Sequence, residues 1–302
     1  MTTIPVSATI SRAYGFLLGE VGTIARLTWA PLLLGAGLSY FYGAPTVDGA
    51  GKIEPNPALF LISLVMFVTG TMAMVALLRV VVFGDRMPGL YVYLKLGAAE
   101  ARLILVTVLL VIGFIAAMFA ATLVVTLVGA MAAAVPVVGF VLLVAVVAGV
   151  FGGLIWALVR LSLTWPAIVA ENNLGVERSL ALTKGNVLPL FLVLLATYGV
   201  CTLVTWIAFV VILGADYPAL PSLPAISDAQ AKSPEAVKLI AETFQKALEK
   251  WQVDLTRAIG AHWFAVSLLT LISNFVSTVL WAGATGTIYA GLAEERQVPA
   301  AE

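Results

Sequence analysis

The chain has 302 residues, of which 62% are hydrophobic and only 11% charged, and its net charge is zero. Soluble domains carry about 25% charged residues, so this chain lacks the polar surface to cover itself in water. Zero net charge argues against nucleic acid as a partner, which needs a clustered basic face. The single cysteine, Cys201, excludes an internal disulfide and a Cys-rich metal site.

Met1–Ile10 has no basic stretch followed by an apolar run, so no cleavable signal is expected. Ile10, Tyr14, Leu17, Leu18 and Val21 fall on one face of a helix leading to Glu20 and Arg26. The first long apolar stretch covers 27–43 and the second 57–83. A hydrocarbon core about 30 Å thick needs about 20 helical residues, so the first stretch crosses it only by borrowing from Val21–Arg26. The second ends in Leu77-Leu78-Arg79, from which Arg79 can snorkel to headgroup depth.

Leu90, Tyr93, Leu94 and Ala98 form a second weakly amphipathic segment, leading to Glu100 and Arg102. Stretches three and four, 103–128 and 135–159, flank an uncharged short loop at Gly129–Ala134, and Arg160 closes the fourth as Arg79 closes the second. Pro166 is expected to stop the fourth span, because it removes a donor and clashes with the preceding turn. Glu171 with Asn172 and Asn173 suits a helix start. Val176, Leu180 and Thr183 then line a third amphipathic segment, leading to Lys184 and Asn186. Gly185 can take the positive φ that ends one helix, and Asn186 can cap the next. Hinge geometry between an interfacial helix and a span is favoured here over a ligand site.

The fifth stretch, 187–213, holds Cys201, read as a small packing residue. The loop 214–261 begins Pro-rich (Pro218, Pro221, Pro224) and continues as an amphipathic helix over 233–259. Ser233 is its cap, Pro234 stands in the first turn and Glu235 near the positive end. Val237, Ile240, Phe244, Leu248, Trp251, Leu255 and Ile259 follow at three- and four-residue spacing. This stripe lies on the leaflet or packs on the bundle; a lid or a partner-docking surface is the sharper alternative, disfavoured by the mixed charge of the other sides. The sixth stretch, 262–291, opens with His262 and Trp263, the place of an interfacial anchor. Its polar stripe of Ser273, Asn274, Ser277, Thr278, Thr285 and Thr287 either lines a cavity or bonds neighbouring helices. Gly283, Gly286 and Gly291 are small residues that let helices approach closely.

These elements define an all-α membrane protein in one polytopic domain, 1–302. Six transmembrane helices form three hairpins, each preceded by a cytoplasmic-side interfacial helix, and one outer amphipathic helix is added. Glu20, Glu100 and Asn186 recur at spacings of 80 and 86 residues, as if in three repeat units, 7–83, 86–160 and 172–293. Six spans put both termini on one side. Arg12, Arg26, Arg79, Arg86, Lys95, Arg102, Arg160, Arg178, Lys184 and Arg296 fall there, against Lys52, Lys232, Lys238, Lys246, Lys250 and Arg257 opposite. Basic short loops mark the cytoplasmic side.

The run from Arg160 to Phe191 resembles the signature of the bacterial YciC-like membrane proteins and of the membrane domain attached to some glycerophosphodiester phosphodiesterases. The matching positions are Pro166, Glu171, Ser179, Lys184, Gly185 and Asn186; Leu180 stands where the family often has Trp. The six-span layout matches over the whole chain, and the soluble phosphodiesterase barrel is absent. The resemblance implies membrane architecture in a bacterial inner membrane, with no hydrolase activity.

Catalysis needs an acid–base pair, an activated nucleophile or a metal cluster. The chain has one histidine, no His pair for zinc, and no Gly-rich phosphate loop before a helix. No catalytic residue, metal or cofactor is assigned. Ion-coupled transport leaves ionisable groups at mid-membrane, and no span has one at its centre. The leading expectation is a non-enzymatic protein acting on or binding membrane lipids, or accessory to an envelope process. Arg79, Arg160, Arg178 and Lys184 are the headgroup candidates. The alternatives are an uncoupled permease or exporter of a small apolar or zwitterionic solute, with Asn274, Ser277 and Thr278 lining its cavity, or a scaffold that docks a protein partner or second copy through the 233–259 helix.

Overall fold

The computed structural model describes residues 4–48, 52–54, 56–87, 91–134, 136–221 and 234–297. They are almost wholly helical: α1 Val6–Gly19, α2 Val21–Tyr42, α3 Ala58–Phe83, α4 Ala98–Ala134, α5 Pro136–Leu161, α6 Thr164–Glu171, α7 Val176–Leu182, α8 Val187–Leu194, α9 Val200–Leu213, α10 Pro234–Ala261 and α11 Trp263–Gln297. A π-helical turn, Leu195–Gly199, joins α8 to α9. The only extended pairing among the described residues is one bridge between Val47 and Ile53. Among the described residues, six helical runs are long and apolar enough to cross a bilayer, and each overlaps one of the six stretches of the sequence. Helices suit that medium because every backbone donor and acceptor is bonded within the segment. The chain is a multi-pass helical membrane protein.

Three local expectations are corrected. Gly129–Ala134 is not a loop: its Ala and Met residues are good helix formers, and α4 continues through them to 37 residues. At 1.5 Å per residue that is about 55 Å, well beyond a hydrocarbon core of about 30 Å. The second interfacial segment is not a helix, since residues 91–97 are irregular up to the start of α4. Seven residues ending in Gly97 offer too few bonds to offset nucleation. The extended path instead brings Tyr93 into a buried cluster with Leu27, Ala76 and Val80. The third correction, at Glu171, belongs to the site described below. The first and third segments are helical, as α1 and α7. Leu90, Pro224 and Ser233 lie outside the described residues.

The chain divides into two compact units. One comprises Met1–Pro31, Val68–Val200 and Val276–Glu302, and the other Leu32–Phe67 and Cys201–Phe275. In the second unit, Leu255, Ala258 and Ile259 of α10 pack against Phe209, Ile212, Leu213 and Val266. The Trp251 indole N–H donates to the Pro218 carbonyl at 3.2 Å. Leu248, a turn earlier in the stripe, is 37% exposed, so the packing is concentrated at the C-terminal end of the stripe. His262 meets Asp216 at 2.9 Å, and the Trp263 indole N–H donates to the Tyr40 carbonyl at 3.1 Å, so both side chains tie the head of α11 to their own unit.

The first unit holds the larger core. Ile4 and Ala13 join Val159, Leu163, Leu182, Leu190, Val193, Ala284, Ile288 and Leu292 in one buried cluster. Hydropathy alone does not rank the spans, but burial does. In their most apolar windows α3 is 56% buried, whereas the run containing α5 is 0% buried. The hairpin of α4 and α5 therefore presents its apolar side chains outward, as hydrocarbon-facing helices do.

Candidate functional site

The site is built where α5, α6, α7 and α8 meet, all within the first unit. Pro166 does not end α5 directly. A helix continuing through it would set the proline ring against the Ser162 carbonyl and leave that carbonyl without a donor. The break falls one turn earlier, at Ser162–Leu163, where the Ser162 hydroxyl donates to the Val159 carbonyl at 2.7 Å. Pro166 sits in the first turn of α6, where a missing N–H is not needed. Glu171, expected to open a helix, closes α6 instead. Asn172 follows in the left-handed region at φ 58°, and Gly175 at φ 69° turns the chain into α7. The Asn173 side chain stabilises that turn by accepting the Gly175 N–H at 2.7 Å.

The family-like residues are mostly occupied in holding this junction. The buried Ser179 hydroxyl donates to the Arg160 carbonyl at 2.7 Å, satisfying one of the acceptors that a helix end leaves over. Arg160 in turn donates to the Leu180 carbonyl and to the Thr183 hydroxyl at 3.3 Å. Its guanidinium lies 5.1 Å over the Trp156 ring, so the arginine is a strap between α5 and α7. Glu171 accepts the Tyr289 phenol at 2.7 Å and pairs with Arg178 at 2.6 Å. The Arg178 Nε–H is not aimed along that line and finds no acceptor, which makes the contact an ion pair rather than an aligned hydrogen bond. Arg102 reaches across from α4 to the Asn172 side chain.

Beyond α7, Gly185 adopts the positive φ expected of it, at 85°. Asn186 stands at the start of α8 but makes no side-chain cap; its side-chain oxygen accepts the Ile4 N–H at 3.4 Å. The Tyr14 phenol donates to the Ala196 carbonyl at 3.0 Å. The two bonds share a sequence separation of 182 residues, so α1 runs parallel to α8 and onto the π turn. The small-residue face of α11 permits close packing at two of its three glycines. A Cβ on Gly283 would lie 3.3 Å from Ala13, and one on Gly286 would lie 2.7 Å from Val81; Gly291 is open.

The four basic candidates are thus divided. Arg160 and Arg178 both make contacts at the junction. Lys184 is exposed, and Arg79 is half-buried near Tyr93. Burial and the hydrogen bond to Glu100 push the Tyr93 phenol well above its ordinary value, and the Arg79 charge opposes that rise. Glu100 itself is 1% exposed. It accepts the Tyr93 phenol at 2.6 Å and the Gly97 N–H at 2.9 Å, the second being half of a capping box at the head of α4.

Beside this junction lies a partly open apolar cavity of about 790 Å³. Leu109, Leu110 and Phe114 of α4, Leu154, Leu158 and Leu161 of α5, and Phe191, Leu194 and Leu195 of the fifth span form its walls, with Trp165, Tyr198 and Trp281 beside them. The volume falls in the range of small-molecule and cofactor pockets. The π turn contributes Leu195, Tyr198 and Gly199; such turns displace the following residues from helical register. The Trp281 ring stands edge-on to Trp165 at 6.1 Å and to Tyr198 at 6.0 Å. Its Nε1–H is buried without a hydrogen-bond partner.

The sequence pointed to a different lining. Asn274 is exposed, Ser273 is bonded to Thr205 at 2.7 Å, and neither they nor Ser277 and Thr278 line this cavity. One available signal was missed. Tryptophan favours membrane interfaces, and Trp281 follows Trp263 by 18 residues, about 27 Å of helix, a spacing close to the full hydrocarbon thickness of about 30 Å. No known protein family, curated protein or solved structure matches the chain.

Proposed function

We propose that this protein binds a membrane lipid, with the hydrocarbon chain in the cavity between α4, α5 and α8, and that it carries no catalytic chemistry. The observation that supports this reading is the cavity itself. It is lined by aliphatic and aromatic side chains and opens among helices whose outer faces are apolar. Of the four basic candidates, exposed Lys184 and half-buried Arg79 are the two without contacts at the junction, and basic groups on this side suit an anionic phospholipid headgroup. The basic loops argue for a plasma membrane with both termini in the cytoplasm. The resemblance of 160–191 to the YciC-like proteins agrees with a bacterial inner membrane and a lipid-related or envelope-accessory role.

Native mass spectrometry of the protein extracted in mild detergent tests the reading. A lipid retained at fixed stoichiometry, and reduced when Lys184→Ala and Arg79→Ala are combined, is the expected result. Protein that carries no lipid, and takes none up when anionic phospholipid is added, contradicts it.

A further inference from the structure

We infer that Gly113 sets the length of acyl chain that the cavity accepts, because the side chain it lacks is the one that would close the hollow midway. The inference rests on the lipid reading above and names long-chain lipids as the class the site takes.

Gly113 lines the cavity, and a Cβ on it would meet nothing within 4 Å. It stands as far from the C-terminal end of α4 as Ala157, also in the lining, stands from the start of α5, so the two share one level of the hairpin. Small residues facing each other normally let two membrane helices close up, as Gly283 of α11 does against Ala13 of α1. At Gly113 the space stays open instead. Larger lining residues flank this level, Leu109 and Phe114 on α4 and Leu154 and Leu161 on α5. A glycine inside a helix is destabilising relative to alanine, and here no close helix contact offsets that cost. What the absent side chain provides is room. The cavity also has a direction. Its lining on α4 runs from Leu109 to Ala117, about 12 Å of helix. Leu109 shares its level with Leu161, at the break into α6 and beside Arg160. Ala117 lies toward the connection between the two helices, and neither helix carries an ionisable residue beyond that point. The headgroup therefore belongs at the junction end and the chain terminus toward Ala117, with Gly113 halfway along.

The test is a competition between dipalmitoylphosphatidylglycerol and dioctanoylphosphatidylglycerol, which share a headgroup and differ only in chain length. Both are offered in equal amounts to the full-length protein in mild detergent, and the bound ratio is read by native mass spectrometry. Gly113→Phe puts a ring halfway along the cavity. Relative to the dioctanoyl lipid, it is expected to hold the dipalmitoyl lipid roughly five- to hundredfold more weakly than the wild type does, the range for overpacking a fitted site. Gly113→Leu is expected to shift the ratio the same way by less. Gly152→Phe lies on α5 outside the lining, with nothing within 4 Å of its Cβ position, and is expected to keep the wild-type ratio. A wild-type ratio in both Gly113 variants overturns the inference and leaves the lipid reading standing. Loss of both lipids to the same extent does so too, since a plug halfway along spares the shorter chain, and so does an equal shift in Gly152→Phe. Wild-type protein that takes up neither lipid overturns the lipid reading itself. Should Gly113→Phe not fold, Gly113→Leu decides alone.

Discussion

Gly175→Ala tests the junction that carries the site. Gly175 has φ 69°, a conformation that costs an L-residue about 1–2 kcal/mol. A Cβ there would also lie 2.5 Å from the Thr164 carbonyl oxygen and 3.0 Å from Ile168. The carbonyl belongs to the backbone of α6, so the clash cannot be relieved by a rotamer change. Overpacking of this kind adds about 1–3 kcal/mol, for a total of about 2–5 kcal/mol. At roughly 2–4 °C per kcal/mol, the expected fall in Tm is on the order of 10 °C. Thermal unfolding in detergent, followed by intrinsic fluorescence, measures it. Gly152→Ala in α5 is the matched control: nothing lies within 4 Å of its Cβ position, so it should leave Tm unchanged or raise it slightly, as Ala is the better helix former. A Gly175→Ala protein that unfolds at the wild-type temperature would refute the turn described between α6 and α7.

Other substitutions follow from the same geometry. Ser179→Ala removes the cap on the Arg160 carbonyl and should destabilise by about 1–2 kcal/mol, again read by thermal unfolding; no shift would show the hydroxyl to be dispensable. Gly286→Ala should lose about 1–3 kcal/mol by pressing on Val81, and Val81→Ala in the same chain should recover much of it, giving a coupling measurable in a double-mutant cycle. Arg160→Ala should lower Tm because it cuts the strap to Leu180 and Thr183. Lys184→Ala, at an exposed position, should leave Tm alone and weaken anionic-lipid retention; the reverse pattern would exchange their roles.

The spans are legible in the sequence because span length and apolarity are local properties of the chain. Gly185 is legible for the same reason, since a helix stop of that kind is written in one residue. The role of Glu171 is not: its partner Tyr289 lies 118 residues away, and no spacing rule connects them. Pro166 is half legible. Its effect on the helix can be foreseen, but the break lands a turn upstream, where the displaced carbonyl would have been. The contacts of Arg160 and Arg178 at the junction are not legible either, because a sequence shows charge without showing its partners. The cavity depends on which helices become neighbours and on a π turn that no spacing in the fifth stretch points to. The hydroxyl stripe around Asn274 looks more promising because polarity within a span stands out in a sequence, whereas an apolar hollow does not.

Cross-linking with a phospholipid that bears a photoreactive group on its acyl chain locates the bound lipid. Saturable adducts are expected on peptides within 109–117, 154–165 and 191–199, the segments that line the cavity, displaced by excess unlabelled lipid. Adducts spread evenly over all six spans, or gathered on 266–278 around Asn274, would contradict that location.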